Sequence, residues 1–322
     1  MGPRRRLIAC FALATACGAG WVAAPRRFEV EGVSMGPGLL PGDVVGTGLF
    51  PAFDRWRRPR RFDRWVLAAT DELVVKRVVG LPGERIALTD GDLVADGAVV
   101  LKTPRLLAEM GSVVPDDPDA PPAPEPAWGW WRPAADVLDD AAFDAGSTRV
   151  LAAVRDVGLA AVVDVRRASA ADPARARVRV GDTVVSRPLG SAGRHAVVAG
   201  RLDGRLVVAT WRVPTDARAS TPRSCLPVAA PDAWQVAVPW PSPARADAAP
   251  ICAVAGEDDR VTIVDVVRWR DVAWRPGADG RDAWTLGVDA VLVLGDYPAA
   301  STDSRRWGPV TAAALRHRIA LP

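Results

Sequence analysis

Polar and apolar positions change period early in the chain. From Leu7 to Ala24 no residue is charged, with Arg4-Arg5-Arg6 before the run and Arg26 and Arg27 after it. Such a run is at the short end of what crosses a ~30 Å hydrocarbon core as a helix, and Trp21 near its far end suits a headgroup layer. From Phe28 the pattern becomes short β-type runs. Leu73–Val79, Arg85–Leu88, Leu93–Val94, Val99–Leu101, Arg177–Val180, Thr183–Val185 and Leu206–Val213 predict strands. Gly91-Asp92, Asp96-Gly97, Gly181-Asp182 and Asp203-Gly204 between them predict hairpin turns. The Pro- and Asp-rich stretch Val114–Pro126 and the Pro/Ala-rich stretch Val238–Pro250 read as loops or linkers, and Ala134–Ala145 as short helix. A mainly β chain follows.

Three readings of the first thirty residues compete: an uncleaved signal anchor, a cleavable export signal ending at Val22-Ala23-Ala24, and lipidation at Cys17 within Ala14-Thr15-Ala16-Cys17. All three place the bulk of the chain outside the cytoplasm.

Composition narrows the chemistry. A chain of 322 residues, 49% hydrophobic, has the prior of two domains and a sizeable core. A net charge of +3 is too balanced for a dedicated nucleic-acid binder. Two histidines, His195 and His317, and four cysteines without CxxC or HExxH leave no basis for a metal site. No cofactor is expected either. Between residues 55 and 64 lie six arginines, interleaved with Trp56 and Phe62 and flanked by Phe53 and Trp65. The plain reading is a solvated loop. The functional reading is contact with anionic headgroups near the apolar segment, ahead of stacking on single-stranded nucleic acid.

The string Glu31-Gly32-Val33-Ser34-Met35-Gly36-Pro37 fits a Gly-x-Ser-x-Gly elbow. That turn needs strands laid down before it and a helix after it, and Pro37 opposes the helix. A serine hydroxyl needs a base. Of 41 basic residues only Lys76 and Lys102 are lysine. Lys76 sits in the apolar run Leu73-Val74-Val75-Lys76, where burial would favour the neutral amine that accepts a proton. The alternative is an ordinary strand lysine with its tip in water.

Ser34-Met35-x-Pro37 with Gly42-Asp43 resembles the nucleophile box of the signal peptidase I family. Lys76-Arg77-Val78-Val79-Gly80-Leu81-Pro82-Gly83-Glu84, continued by Gly91 and Asp96-Gly97, is similar to its lysine box. Gly295-Asp296 with Ser301-x-Asp303-Ser304-Arg305-x-Trp307-Gly308 is similar to its third box. The resemblance covers about 28–102 and 262–312. It implies a signal-peptidase-like antiparallel β core behind one N-terminal transmembrane helix, with a large β-rich insertion. The segments expected are 1–6 cytoplasmic, 7–24 anchor, 25–102 and 262–322 catalytic core, and 103–261 insertion.

The same resemblance implies a membrane-bound serine endopeptidase that removes signal peptides of secreted preproteins, its catalytic part on the extracytoplasmic side of the bilayer. Ser34 would be the nucleophile and Lys76 the general base. Ser301 would orient the amine, and Asp303 with Arg305 would hold that loop. Substrate would add as a strand between Glu31, Gly32, Val33 and Met35 on one side and Leu73, Val74 and Val75 on the other. Departures are Gly38 where threonine is usual, Phe62 in place of a glycine, and Tyr297-Pro298 in place of Asn-Arg. A specialised maturation peptidase and an inactive exported binding protein of the same fold are the alternatives. In an exported domain Cys225 and Cys252, the only cysteines outside the apolar segment, are expected to form a disulfide.

Overall fold

Three of the turns carry the backbone signature that their sequences call for. Asp90-Gly91, Asp96-Gly97 and Asp203-Gly204 all take positive φ at both residues, the pair of left-handed conformations a two-residue hairpin loop of type I′ requires. The first of these turns lies one residue earlier than Gly91-Asp92. The computed structural model describes residues 26–47, 58–68, 72–115, 128–131, 137–139, 151–221, 224–240 and 252–319. The apolar segment 7–24, residues 55–57 and most of Ala134–Ala145 lie outside them. Among the described residues no helix is long and apolar enough to cross a membrane.

Two antiparallel sheets form the unit that carries the box residues. One runs, in spatial order, Val310–Thr311, Ala290–Leu294, Leu73–Gly80, Arg64–Ala68 and Leu315–Arg318; the other Ala283–Thr285, Arg85–Thr89, Asp92–Ala95 and Ala98–Val99. Val79, Ile86, Leu88, Leu93, Trp274, Trp284 and Leu292 pack between them as one core. A two-stranded ribbon, Arg27–Glu29 with Val44–Gly46, flanks the loop that holds Ser34.

The long middle of the chain folds as a β-sandwich. Its six-stranded sheet is ordered Val236–Pro239, Arg205–Arg212, Gly193–Leu202, Val157–Val165, Val261–Arg270 and Ser112–Val114. Its four-stranded sheet is ordered Thr183–Leu189, Ala174–Val180, Cys252–Gly256 and Trp128–Trp131. In Ala174–Val180 the alternation is plain: Ala174, Ala176, Val178 and Val180 face the core, while Arg175, Arg177 and Arg179 face outward. Within the strand Val157–Val165 the stretch Val157–Val163 is an unbroken apolar run because both of its faces are covered. Leu159, Ala161 and Val163 join the sandwich core, and Ala160 packs with Leu107 and Trp269 on the other side.

Two expectations are corrected here. Val261–Arg270 pairs with Val157–Val165 over nearly its whole length, so the sandwich reaches Arg270 and residues 262–270 do not belong to the catalytic part. Cys225 and Cys252 are not bridged. Cys225 packs in the cluster with Leu107 and Trp269, its thiol 3.4 Å from the Leu107 carbonyl, whereas Cys252 lies inside the sandwich. Burial pushes both thiols well above their usual pKa, which suits two small core side chains.

Between the two units lies a buried ionic seam. The Lys102 ammonium pairs with Asp203 and, at 2.7 Å, with Asp271, and lies 5.2 Å from the Trp274 ring centre. Lys102 is where the chain enters the sandwich and Asp271 where it leaves, so one cation pins both crossings to the Asp203 turn. Asp203 N–H donates to Asp156 at 2.5 Å. Asp92 of the 92–95 strand approaches the same carboxylates; burial, then the charges of Asp156 and Asp203, hold its pKa far above the usual carboxylate range.

Candidate active site

Ser34 sits on a tight loop, Val33 to Leu40, anchored by the Gly36 N–H to Val33 carbonyl bond of 2.9 Å and the Leu39 N–H to Met35 carbonyl bond of 3.0 Å. Met35 and Leu39 are buried with Val30, Val45, Val66 and Ile319. Those apolar anchors fix the loop and leave the serine between them half-buried. Across from it, Lys76 projects from Leu73–Gly80, opposite Trp65 in the neighbouring strand. Its Nζ lies 2.7 Å from Ser34 Oγ, and only 3% of the residue is exposed.

Burial lowers the Lys76 pKa from 10.5 to about 8, against the opposing pull of Asp303 and Asp296; Arg305 lowers it further. The amine thus lies near the range where it can cycle between neutral and charged forms at working pH.

The third group of residues closes over this pair. Asp303 caps the short helix Ser304–Trp307, and its carboxylate accepts from Gly295 N–H at 3.0 Å, from Ser301 Oγ at 2.7 Å and from the Arg305 guanidinium at 2.8 Å on both oxygens. Arg305 also reaches the carbonyls of Pro298 and Ser301. The hydroxyl of Ser301 is therefore spent on Asp303 rather than on Lys76. Tyr297 N–H donates to the Ser34 carbonyl at 3.0 Å, which ties this loop to the nucleophile loop directly. At Gly295 a Cβ would stand 2.2 Å from Ser301 Oγ and 2.6 Å from the Ser34 carbonyl oxygen. Only glycine lets the two loops approach this closely.

The remaining candidates line an open edge. Leu73 is exposed, and Val74 and Val75 are half-buried. Residues Leu73 to Arg77 pair on one side with Arg64–Ala68, while pairing on the other side with Ala290–Leu294 begins only at Arg77. Glu31 and Gly32 are exposed and Val33 half-buried, all just ahead of Ser34, and Met35 is buried in the core rather than offered to a ligand.

Three features escaped the sequence reading. Arg77, fully buried, forms a two-pronged ion pair with Asp296 at 2.7 and 2.6 Å; both residues stood in the boxes, but nothing in the sequence paired them. Trp274 donates to the Gly295 carbonyl at 3.0 Å. Phe62 takes φ +70°, the left-handed region, which accounts for glycine being usual there. In the arginine-rich stretch Arg61 bonds Glu84 at 2.6 Å and also the Val79 carbonyl, and Arg64 is buried. These two serve the fold and are not available to headgroups.

A family model described as signal peptidase, peptidase S26, matches residues 4–129. Signal peptidase I V of Bacillus subtilis (strain 168) is 36% identical over 74 residues, which is 23% of this chain and 43% of that relative. The chain thus matches less than half the length of that curated relative. Ser34 and Lys76 fall within the family match, and Ser301, Asp303 and Arg305 fall beyond it. Over residues 4–129 the chain is thus similar to the signal peptidase S26 family.

Proposed function

We propose that this protein is a membrane-anchored serine endopeptidase that cleaves signal peptides from exported preproteins with Ser34 and Lys76 as its dyad. The 2.7 Å approach of a buried lysine amine to Ser34 Oγ carries the reading. In its neutral form the Lys76 amine takes the Ser34 proton as Oγ attacks the scissile carbonyl. The resulting ammonium then gives that proton to the departing amine, leaving an ester on Ser34, and a water activated by the same lysine hydrolyses it. Desolvation of Lys76 supports this cycle, and Asp303 with Asp296 keeps the ammonium from being too costly midway through it.

The backbone N–H of Ser34 is the expected oxyanion donor. Gly32 offers no side chain to add to it. Ser301 acts on the lysine through Asp303. The extended substrate adds to the unpaired edge of Leu73–Val75, with Glu31–Val33 on its other side. The apolar run 7–24 serves as the anchor, and the catalytic part faces the extracytoplasmic side. A narrow substrate range is the second reading, favoured by the ten-strand sandwich that adjoins the catalytic sheets.

A reporter preprotein with an Ala-x-Ala site tests the proposal. Ser34→Ala and Lys76→Ala are each expected to lose at least about a thousandfold in rate, and His195→Ala and His317→Ala to stay active. Damage from His317→Ala equal to that from Lys76→Ala would overturn the dyad.

A further inference from the structure

The short helix that leads into the sandwich packs against the loop of Ser34 and against Arg77, the neighbour of Lys76. Pro104–Met110 opens the middle segment, capped by Thr103, whose hydroxyl accepts from Leu106 N–H, with Pro104 in the first turn. Leu107 and Met110 bury one face of it. Its last turn meets the site at two places. The Glu109 carboxylate lies 3.5 Å from Arg77 Nη1. The Glu109 carbonyl oxygen lies so near Gly38 that a Cβ there would stand 2.6 Å from it, so the nucleophile loop packs backbone to backbone against the helix.

From Arg77 the contacts continue inward. Arg77 holds Asp296, the next residue Tyr297 donates to the Ser34 carbonyl, and Lys76 is the neighbour of Arg77 in the strand. Arg64 lies opposite Arg77 across the sheet and is itself buried. Two buried guanidinium groups are thus set against two carboxylates, those of Asp296 and Glu109. Without Glu109 the group would carry an excess positive charge beside the lysine.

We propose that Glu109 is a positioning residue for the Ser34–Lys76 pair, by which the inserted sandwich sets the electrostatics and loop geometry of the site from behind the catalytic sheet. The inference rests on the dyad reading above, and its test needs no substrate. Because the chain holds two lysines only, protein grown with ε-¹³C lysine gives two side-chain signals. Lys102, buried between Asp203 and Asp271, reports on the fold. Lys76 reports on the site, where Asp303, Asp296 and Arg305 are the charges acting on it.

Titrating the full chain in detergent, Glu109→Gln is expected to lower the Lys76 midpoint measurably, because Arg77, no longer shared with Glu109, then neutralises more fully Asp296, one of the carboxylates that raise the lysine. Glu109→Asp, which keeps the charge, is expected to hold the wild-type midpoint. An unmoved Lys76 midpoint in Glu109→Gln, with the Lys102 signal native, overturns the proposal. Should Glu109→Gln lose the Lys102 signal, Gly38→Ala decides. Its methyl group must displace the helix or the loop, so a Lys76 signal identical to wild type in that variant overturns the proposal, and a shifted one supports it. Failure of the wild type to cleave a reporter would instead count against the dyad reading and leave this titration standing.

Discussion

Replacing Lys76 with methionine should abolish activity and yet stabilise the protein, in a manner that depends on pH. In the folded chain the Lys76 pKa is about 8, against 10.5 for an unperturbed lysine, and burial is the main cause. The folded state therefore binds fewer protons than the unfolded one between these two values, so wild-type stability rises with pH across that window. Below about pH 8 both states are protonated and the full cost of the buried ammonium applies. At 1.36 kcal/mol per pKa unit the cost is about 3 kcal/mol.

Methionine has a similar reach and no charge, and it forfeits the bond to Ser34, worth about 1 kcal/mol. The net gain of Lys76→Met is then about 2 kcal/mol near pH 6.5. It should shrink through pH 8 to 10.5 and end as a small loss. Urea unfolding followed by tryptophan fluorescence, at several pH values in the same detergent, measures the difference directly. A difference that does not vary with pH, or a Met variant less stable near pH 6.5, would refute the reasoning.

Gly295→Ala should reduce cleavage of a reporter about a hundredfold or more, the scale of a small displacement at the reacting atoms, because its methyl would collide with Ser301 and the Ser34 carbonyl; unchanged kcat would contradict the close approach of the loops. Lys102→Met should destabilise the fold by about 3–5 kcal/mol in urea unfolding, since it strands buried carboxylates at the seam. Peptide mapping without reductant should recover Cys225 and Cys252 on separate peptides, and a cross-linked Cys225–Cys252 peptide would contradict their placement in separate cores.

How much was legible depended on how local the signal was. Aspartate-glycine turns and the alternation in Ala174–Val180 mark their own structure. Lys76 stood out because a chain that otherwise writes arginine put lysine in an apolar strand, and the strand does bring it to Ser34. Residues 262–270 fall in the sandwich rather than the catalytic part because strand partners are chosen by long-range packing, which no local pattern reports. The cysteine pairing failed for a related reason: an even count and an oxidising compartment say nothing of which core each thiol enters. Arg77–Asp296 spans 219 positions, and Glu109 reaches Arg77 from another element altogether. Tertiary contacts of that kind decide the electrostatics of the site and leave no spacing to read.

The most direct measurement is to trap the acyl-enzyme. Full-length protein mixed with excess Ala-x-Ala reporter, acid-quenched within one turnover and digested, should carry the amino-terminal fragment of the reporter as an ester on the peptide containing Ser34. The adduct should be absent from Ser34→Ala and from Lys76→Met. An adduct on any other residue, or one that forms on Lys76→Met as fast as on the wild type, would contradict a serine nucleophile activated by Lys76.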